Sequence, residues 1–418
     1  MKYKTNFISL FLLQLSNYFF MFLTVPYLSR ILSVEHYGVI FLALSFASYF
    51  NIICDYGFNL SGVQQTALLN KRNEDLNKLF SAITSVKIVL LFVCVVIGIV
   101  VICMVPRLTS YSWIYLISLG GILNSVFFPV WLFQGLERMK YITVINVLIR
   151  GSTVMLVFLL VKQDSQFYLV PIFNVMSVIL GCLVAQLIVY NQLAIRYVKI
   201  QLQDIIFQFK ESWHLFISNI ATTMYGTSNS FLLGIIVSPV AVAYYATAEK
   251  VIAAVISFIG IMSQTLFPSI VRNVADDKNG ALIVLRRNLL IFAVVGAVLS
   301  LAILGFSNII VTKVLGSKYL MTIEVLQILS VIPFVTSINN VLATQTMIPF
   351  GFKKTFSHIL IFIGILNLCL IFILVPNYSY IGSAYAVVIS EVLMPILMLI
   401  ALYKKGIYIL SAKVVDHG

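Results

Sequence analysis

Five ionisable residues, Lys87, Arg150, Glu249, Lys250 and Glu391, lie deep inside long apolar stretches of the chain. At the centre of a bilayer such a residue costs about 2.5–3.5 kcal/mol on insertion scales, and it usually faces an interior cavity. Their distribution is uneven. Lys87 and Arg150 belong to the N-terminal half, where no carboxylate lies equally deep; Asp55 and Glu324 fall nearer an interface. Glu249, Lys250 and Glu391 belong to the C-terminal half, where opposite charges can offset one another, as groups for ion coupling or a cavity ion pair. Glu249 and Lys250 are adjacent, and neighbours in sequence do not share a helix face. An uncompensated pair of cations in a low-dielectric setting favours an anionic ligand, and the planar guanidinium of Arg suits phosphate. The alternative is that these cations meet carbonyls or one another across helices.

The elements that must position these residues follow from composition. Of 418 residues, 61% are apolar and only 10% charged, against about 45–50% and about 25% in a soluble domain. A single soluble core cannot hide that much apolar surface. At about 20 apolar residues per crossing, the length suits an all-α polytopic membrane protein of about twelve transmembrane helices. Apolar runs place spans at 7–32, 38–68, 79–105, 111–134, 140–161 and 167–191. After a polar, amphipathic stretch they resume at 213–237, 240–271, 282–310, 320–350, 355–375 and 380–403. The expected organisation is an N-terminal six-helix lobe (1–191), a cytoplasmic connector (192–212), a C-terminal six-helix lobe (213–404) and a short cytoplasmic tail (405–418), with the lobes around a central cavity. The first run resembles a signal peptide behind Lys2 and Lys4, but it is too long for an h-region and has no small-residue cleavage site. It is expected to remain as the first span.

Lys and Arg number 27 against 14 Asp and Glu. In a soluble protein that excess would suggest nucleic acid; here nineteen of the cations fall on one side of the predicted membrane and five on the other. The positive-inside rule then puts both termini in the cytoplasm. The loops on the other side are too short for a domain, and no cytoplasmic break is long enough for a catalytic one. There is no nucleotide-binding signature and no metal spacing among the four histidines. The five cysteines sit in apolar runs without paired ligand spacing and read as core residues. No catalytic residue, metal or cofactor is expected.

A weak internal repeat links the two halves. Phe128-Pro129-Val130-Trp131 precedes a basic inner loop, as Ile348-Pro349-Phe350-Gly351 does, and Ser33…Tyr37-Gly38 is echoed by Ser238…Tyr244-Tyr245. Parallel halves are a common transporter plan.

Three segments carry a family resemblance. Pro26-Tyr27-Leu28-Ser29-Arg30, running on to Tyr37-Gly38, resembles the first helical hairpin of bacterial polysaccharide flippases. Asp55-Tyr56-Gly57-Phe58-Asn59-Leu60 is similar to the signature of that group's second helix. Pro129-Val130-Trp131-Leu132-Phe133-Gln134-Gly135 looks like the end of its fourth. Together they resemble the Wzx-type O-antigen flippases, of the superfamily that includes multidrug exporters and lipid II flippases. The resemblance implies translocation of an undecaprenyl-pyrophosphate-linked O-antigen unit from the cytoplasmic to the periplasmic leaflet of the inner membrane by alternating access. That makes the protein a transporter rather than an enzyme. Its pyrophosphate is the anion that Lys87 and Arg150 would suit. Membrane lipid, the O-antigen polymerase and the chain-length machinery are the implied partners, and nucleic acid is not. Two alternatives stay open: an ion-coupled multidrug exporter, and a flippase for another lipid-linked polysaccharide or capsule unit. Multidrug exporters of this superfamily typically carry an acidic residue in the first helix, where this chain offers Gln14 and Asn17.

Overall fold

The computed structural model describes residues 2–69 and 73–409. Lys71, Arg72 and most of the expected tail lie outside the described residues. The described residues are helical almost throughout, and ten of their helices are long and apolar enough to cross a membrane. The protein is an all-α, multi-pass membrane protein. It divides into two compact units, Met1–Thr227 and Ser228–Gly418.

In the first unit, α1 (Lys2–Ile31) is followed by α2 (Val34–Asp55). Ser33 caps α2, its hydroxyl accepting from the His36 N–H at 3.2 Å, as an N-cap residue should. At the far end, Tyr56 (φ 47°) and Gly57 (φ 79°) both turn left-handed, and α3 (Phe58–Leu68) starts again in a new direction. Only glycine suits position 57. Its φ is positive, and a Cβ would stand 2.9 Å from that of Leu215 and 3.0 Å from the Phe216 amide nitrogen; both are reasons of the kind that select glycine.

Next come α4 (Asn73–Met104), the single turn α5 (Pro106–Thr109) and a fourth span in pieces: α6 (Ser112–Leu119), a tight turn at Gly120–Ile122, α7 (Leu123–Phe127) and α8 (Val130–Gly135). The break between α7 and α8 falls at Phe128 and Pro129, whose ψ angles of 93° and 71° are not helical. Then α9 (Met139–Leu160) and α10 (Leu169–Asn191) complete the spans of this unit. The polar connector runs on without helix to Gln201. Its amides are met by side chains of α4, Arg196 N–H donating to Asn77 Oδ1 at 2.8 Å and Val198 N–H to Ser81 Oγ at 2.9 Å. The helix α11 (Leu202–Ile236) begins in this unit, and the boundary between units falls within it rather than in the connector.

Tight seams hold these elements together. A Cβ on Gly62 of α3 would stand 2.8 Å from the indole of Trp131 in α8, and one on Gly135 would stand 2.5 Å from Thr66. The start of α11 is tied to α3 by polar side chains: Ser61 and Ser212 hydroxyls at 2.7 Å, and a reciprocal carboxamide pair between Gln65 and Gln208 at 3.0 Å. Tyr56 stacks on Phe216 with centroids 4.4 Å apart.

The second unit contains α12 (Pro239–Asp276), α13 (Lys278–Ile309), α14 (Thr322–Leu329), α15 (Ile332–Asn340) and α16 (Lys353–Lys404). Ser238 caps α12 as Ser33 caps α2, with its hydroxyl 3.3 Å from the Ala241 N–H. Ile259, Phe292 and Val341 form a buried core across α12, α13 and the π-helical turns Val341–Met347 that follow α15. Helices α13 and α15 approach closely at Gly296, where a Cβ would lie 2.9 Å from the Phe334 Cα. The 52 residues of α16 are two helices meeting at Ser379 (φ 53°, ψ −134°). At about 1.5 Å per residue they exceed one membrane thickness, and a Cβ on Gly382 would come within 2.7 Å of the Leu374 carbonyl carbon. The chain folds back there.

Candidate functional site

The deep cations of the first unit differ sharply in setting. Lys87, midway along α4, is 2% exposed, and its ammonium donates to Asp55 Oδ1 at 3.3 Å and to the Ser125 carbonyl at 2.9 Å. It also lies over the Phe58 ring, 5.8 Å from the centroid. The sequence-based expectation that no carboxylate of this half neutralises Lys87 is therefore corrected. Asp55, expected nearer an interface, closes α2 with its side chain 16% exposed and paired with Lys87. A buried ammonium without such partners would be prohibitively expensive, and the approach of α2 to α4 supplies them.

Arg150 is exposed, and its place on α9 decides what that exposure means. At about 100° per residue, Gly151 and Phe158 share the flank that meets α1: Gly151 lies beside the Phe20 ring, and Phe158 stacks on Tyr27 at 4.0 Å. Ile145 and Ile149 share the flank that meets Gly181 of α10. Of the two sectors left between those flanks, one carries exposed Val144, Met155 and Leu159, as a lipid-facing side should. The opposite sector carries Thr143, Asn146, Arg150 and Thr153. Arg150 is thus open on the side of α9 turned away from the lipid stripe. Its three polar companions are internally satisfied. Thr143, Asn146 and Thr153 each donate to the carbonyl four residues back, at 3.4, 2.9 and 2.9 Å, and Arg150 is the charged residue of the stripe.

In the second unit, Glu249 and Lys250 are half-buried on α12, and the Ser230 hydroxyl lies 3.5 Å from Glu249 Oε2. Glu391 of α16 accepts from the Asn339 carboxamide of α15 at 3.0 Å. Among the described residues no group of His, Cys, Asp and Glu is placed to hold a metal ion.

The motif residues build the scaffold around these groups. Pro26 lies within α1, and Arg30 is exposed in its last turn. Tyr37 and Gly38 are buried at the start of α2. Tyr56 and Gly57 form the left-handed break; Phe58 is fully buried, whereas Asn59 is exposed. Pro129 breaks the fourth span, Trp131 is 1% exposed against Gly62, and Gln134 precedes Gly135, which meets Thr66. The second-helix and fourth-helix motifs thus converge on one seam.

Sequence reasoning passed over several polar residues that the fold uses. Gln186 of α10 donates to the Phe127 carbonyl at 2.6 Å. In the second unit Asn288, Gln345 and Ser263 form a buried chain, with links of 3.0 and 3.2 Å. The need that Lys87 meets at Ser125, by contrast, is readable from spacing alone. A proline cannot donate to the carbonyl four residues earlier, so Pro129 marks Ser125 as needing an outside donor.

Comparison with known proteins agrees with this architecture. The family described as "Polysaccharide biosynthesis protein" matches residues 3–274. Proteins named "Putative O-antigen transporter" from Shigella dysenteriae and Escherichia coli (strain K12) are 30% and 29% identical. The alignments cover 95% of this chain in both cases, and 99% and 95% of the respective relatives. Among solved structures, the inward closed lipid II flippase MurJ superposes with a TM-score of 0.74 over 96% of this chain and 87% of its own, at 14% identity. An inward-facing multidrug resistance MATE family transporter of the MOP superfamily reaches 0.71 over 94% of each chain, also at 14% identity. With the family matched over more than half of the chain and a relative at 30% identity along nearly all of it, the chain belongs to the polysaccharide biosynthesis protein family.

Proposed function

We propose that the protein translocates undecaprenyl-pyrophosphate-linked O-antigen repeat units from the cytoplasmic to the periplasmic leaflet of the inner membrane by alternating access. Both termini lie on the cytoplasmic side. The observation that carries the reading is Arg150, an exposed guanidinium on the sector of α9 opposite its lipid-facing stripe. A pyrophosphate cannot enter hydrocarbon unaccompanied. A planar guanidinium offers it two parallel charge-assisted hydrogen bonds. The O-antigen transporters that resemble this chain support the substrate class. Lys87 falls out of the substrate contacts, because Asp55 and Ser125 already hold its ammonium. Flipping makes and breaks no bond, and the carboxylates available for coupling to an ion gradient are Glu249 and Glu391.

The test is complementation of a deletion strain. Arg150→Ala is expected to abolish surface O-antigen at normal protein abundance, and Arg150→Lys to retain part of it if charge alone matters. Normal surface O-antigen from Arg150→Ala, in cells without a second flippase, would overturn the reading.

A further inference from the structure

The fourth span of the first unit is broken in a way that leaves specific atoms in need. In a continuous helix the amide of residue 129 would donate to the carbonyl of residue 125. Residue 129 is proline and has no N–H. The Phe128 amide reaches Asn124 at 3.1 Å, and the Val130 amide turns to Phe128 at 2.8 Å, so neither serves Ser125. Inside a bilayer a carbonyl without a donor costs several kcal/mol. Lys87 supplies the donor from α4 at 2.9 Å, and Gln186 from α10 does the same for the Phe127 carbonyl at 2.6 Å. A cation at this point also meets the negative end of a helix.

We propose that Lys87 is a positioning residue for transport: its ammonium replaces the hydrogen that Pro129 cannot give, and so holds the fourth span open at Phe128–Pro129. The same ammonium binds Asp55, the last residue of α2, directly before the left-handed pair Tyr56–Gly57. One side chain thereby ties together two discontinuities, the α2–α3 break and the α7–α8 break. The Ser125 hydroxyl adds a third link, lying 3.4 Å from the Asn51 carbonyl of α2. The pieces beyond the two breaks, α3 and α8, are those that lock through Gly62 against Trp131 and Gly135 against Thr66. Lys87 therefore acts on transport through the placement of α3 and α8 and touches no substrate. The contacts of Lys87 and the two backbone breaks carry the inference; the display readout rests on the proposed function, whereas the unfolding midpoints do not.

The experiment separates the carbonyl contact from the ion pair by replacing both charges at once, Lys87→Met with Asp55→Asn, so that neither is left buried and uncompensated. Unfolding midpoints are measured on purified, detergent-solubilised protein, and surface O-antigen is measured in a deletion strain. The double variant is expected to lower the midpoint by several degrees relative to the parent and to reduce display to a small fraction. Adding Pro129→Ala restores an amide at residue 129 that can reach Ser125. The midpoint loss caused by the double change, measured against Pro129→Ala alone, is then expected to shrink by more than half, and display to recover in part. A substrate-contacting Lys87 would instead lose display with no change in midpoint, and Pro129→Ala would not restore it. An equal midpoint loss with and without Pro129→Ala, or no loss in either case, overturns the proposal. If Pro129→Ala by itself abolishes display, the pair of midpoint differences still decides.

Discussion

The two units solve the same structural problem at the same place with different chemistry. Each carries a proline near the end of its fourth span, Pro129 in one and Pro349 in the other, and each buries polar groups from its second, third and fourth spans just before it. In the first unit the groups are Asp55, Lys87 and the Ser125 carbonyl; in the second they are Ser263, Asn288 and Gln345. Ser125 stands four residues before Pro129, and Gln345 four before Pro349. The first unit breaks its helix outright and repairs the freed carbonyls with side chains. The second keeps the chain wound in π-helical turns, with the Ile348 amide reaching five residues back to Ala343 at 3.1 Å. That register widens the helix without abandoning its hydrogen bonds. Charge is spent where the backbone is discontinuous, and neutral carboxamides suffice where it is not.

The largest effect expected from this contrast is at Lys87. Lys87→Met alone removes the counter-charge of Asp55 and the donor of Ser125 together. Breaking one member of a buried ion pair typically costs about 3–5 kcal/mol, and the 2% exposure of Lys87 places this pair toward that class. Asp55, at 16%, retains some access to water, which trims the cost from the Asp side. A steep drop in unfolding midpoint and in accumulated protein is the expected result. A midpoint within a degree of the parent would show that the pair contributes nothing net.

Gln345→Leu is the matching change in the second unit and should cost less. It leaves Asn288 and Ser263 buried without their partner, a penalty of about 1–3 kcal/mol for neutral groups. The comparison breaks if the Gln345→Leu midpoint falls as far as that of Lys87→Met. It sharpens if Gln345→Glu, which puts a charge among neutral partners, proves worse than Gln345→Leu.

These pairings show where sequence reading succeeds and where it stops. The apolar runs, the capping serines, the polar connector and the Pro129 break are all local, and local pattern is enough to find them. The orientation of Arg150 is also encoded locally, because Thr143, Asn146, Arg150 and Thr153 recur at helical spacing opposite Val144, Met155 and Leu159. The Asp55–Lys87 pair is not local. Its members are 32 residues apart, on helices whose rotation and depth no periodicity fixes. Counting residues along the spans separates Asp55 from Lys87, because the left-handed break after Asp55 is invisible to hydropathy. The Ser263–Asn288–Gln345 chain was illegible for another reason: neutral polar residues are scattered through every span, and nothing in spacing says which three will meet.

A smaller effect is expected where helices cross on glycine. At Gly62 a Cβ meets the indole of Trp131, whereas at Gly296 it meets the backbone of residue 334 at 2.9 Å as well as the Ser337 side chain. Side chains can shift and a packed backbone cannot, so Gly296→Ala should cost more than Gly62→Ala. Overpacking of this kind runs at about 1–3 kcal/mol. Unfolding midpoints of the two variants test the order, and a larger loss at Gly62 would show that Trp131 is held more rigidly than the α13–α15 crossing.

The smallest effect concerns the serines that open the second span of each unit. Both hydroxyls accept an amide hydrogen, Ser33 from His36 at 3.2 Å and Ser238 from Ala241 at 3.3 Å, and loss of such a cap costs about 0.5–2 kcal/mol. Equal caps would predict equal losses for Ser33→Ala and Ser238→Ala. Their surroundings differ, however. At Ser33 the Asp164 carboxylate already accepts the Ser33 amide at 2.6 Å and stands 2.9 Å from His36 Nδ1. It supplies an acceptor and a negative charge at the start of α2, where the helix dipole favours both. With the hydroxyl gone, that carboxylate can turn to the freed amides of the first turn. Ser238 is followed by Pro239, which fixes the entry angle but provides no acceptor. Ser238→Ala should therefore destabilise more than Ser33→Ala, and the gap should close when Ser33→Ala is combined with Asp164→Asn, which keeps the size of the side chain and removes its charge. Three unfolding midpoints test the argument. If Ser33→Ala is already as costly as Ser238→Ala with Asp164 intact, the carboxylate does not back up the cap.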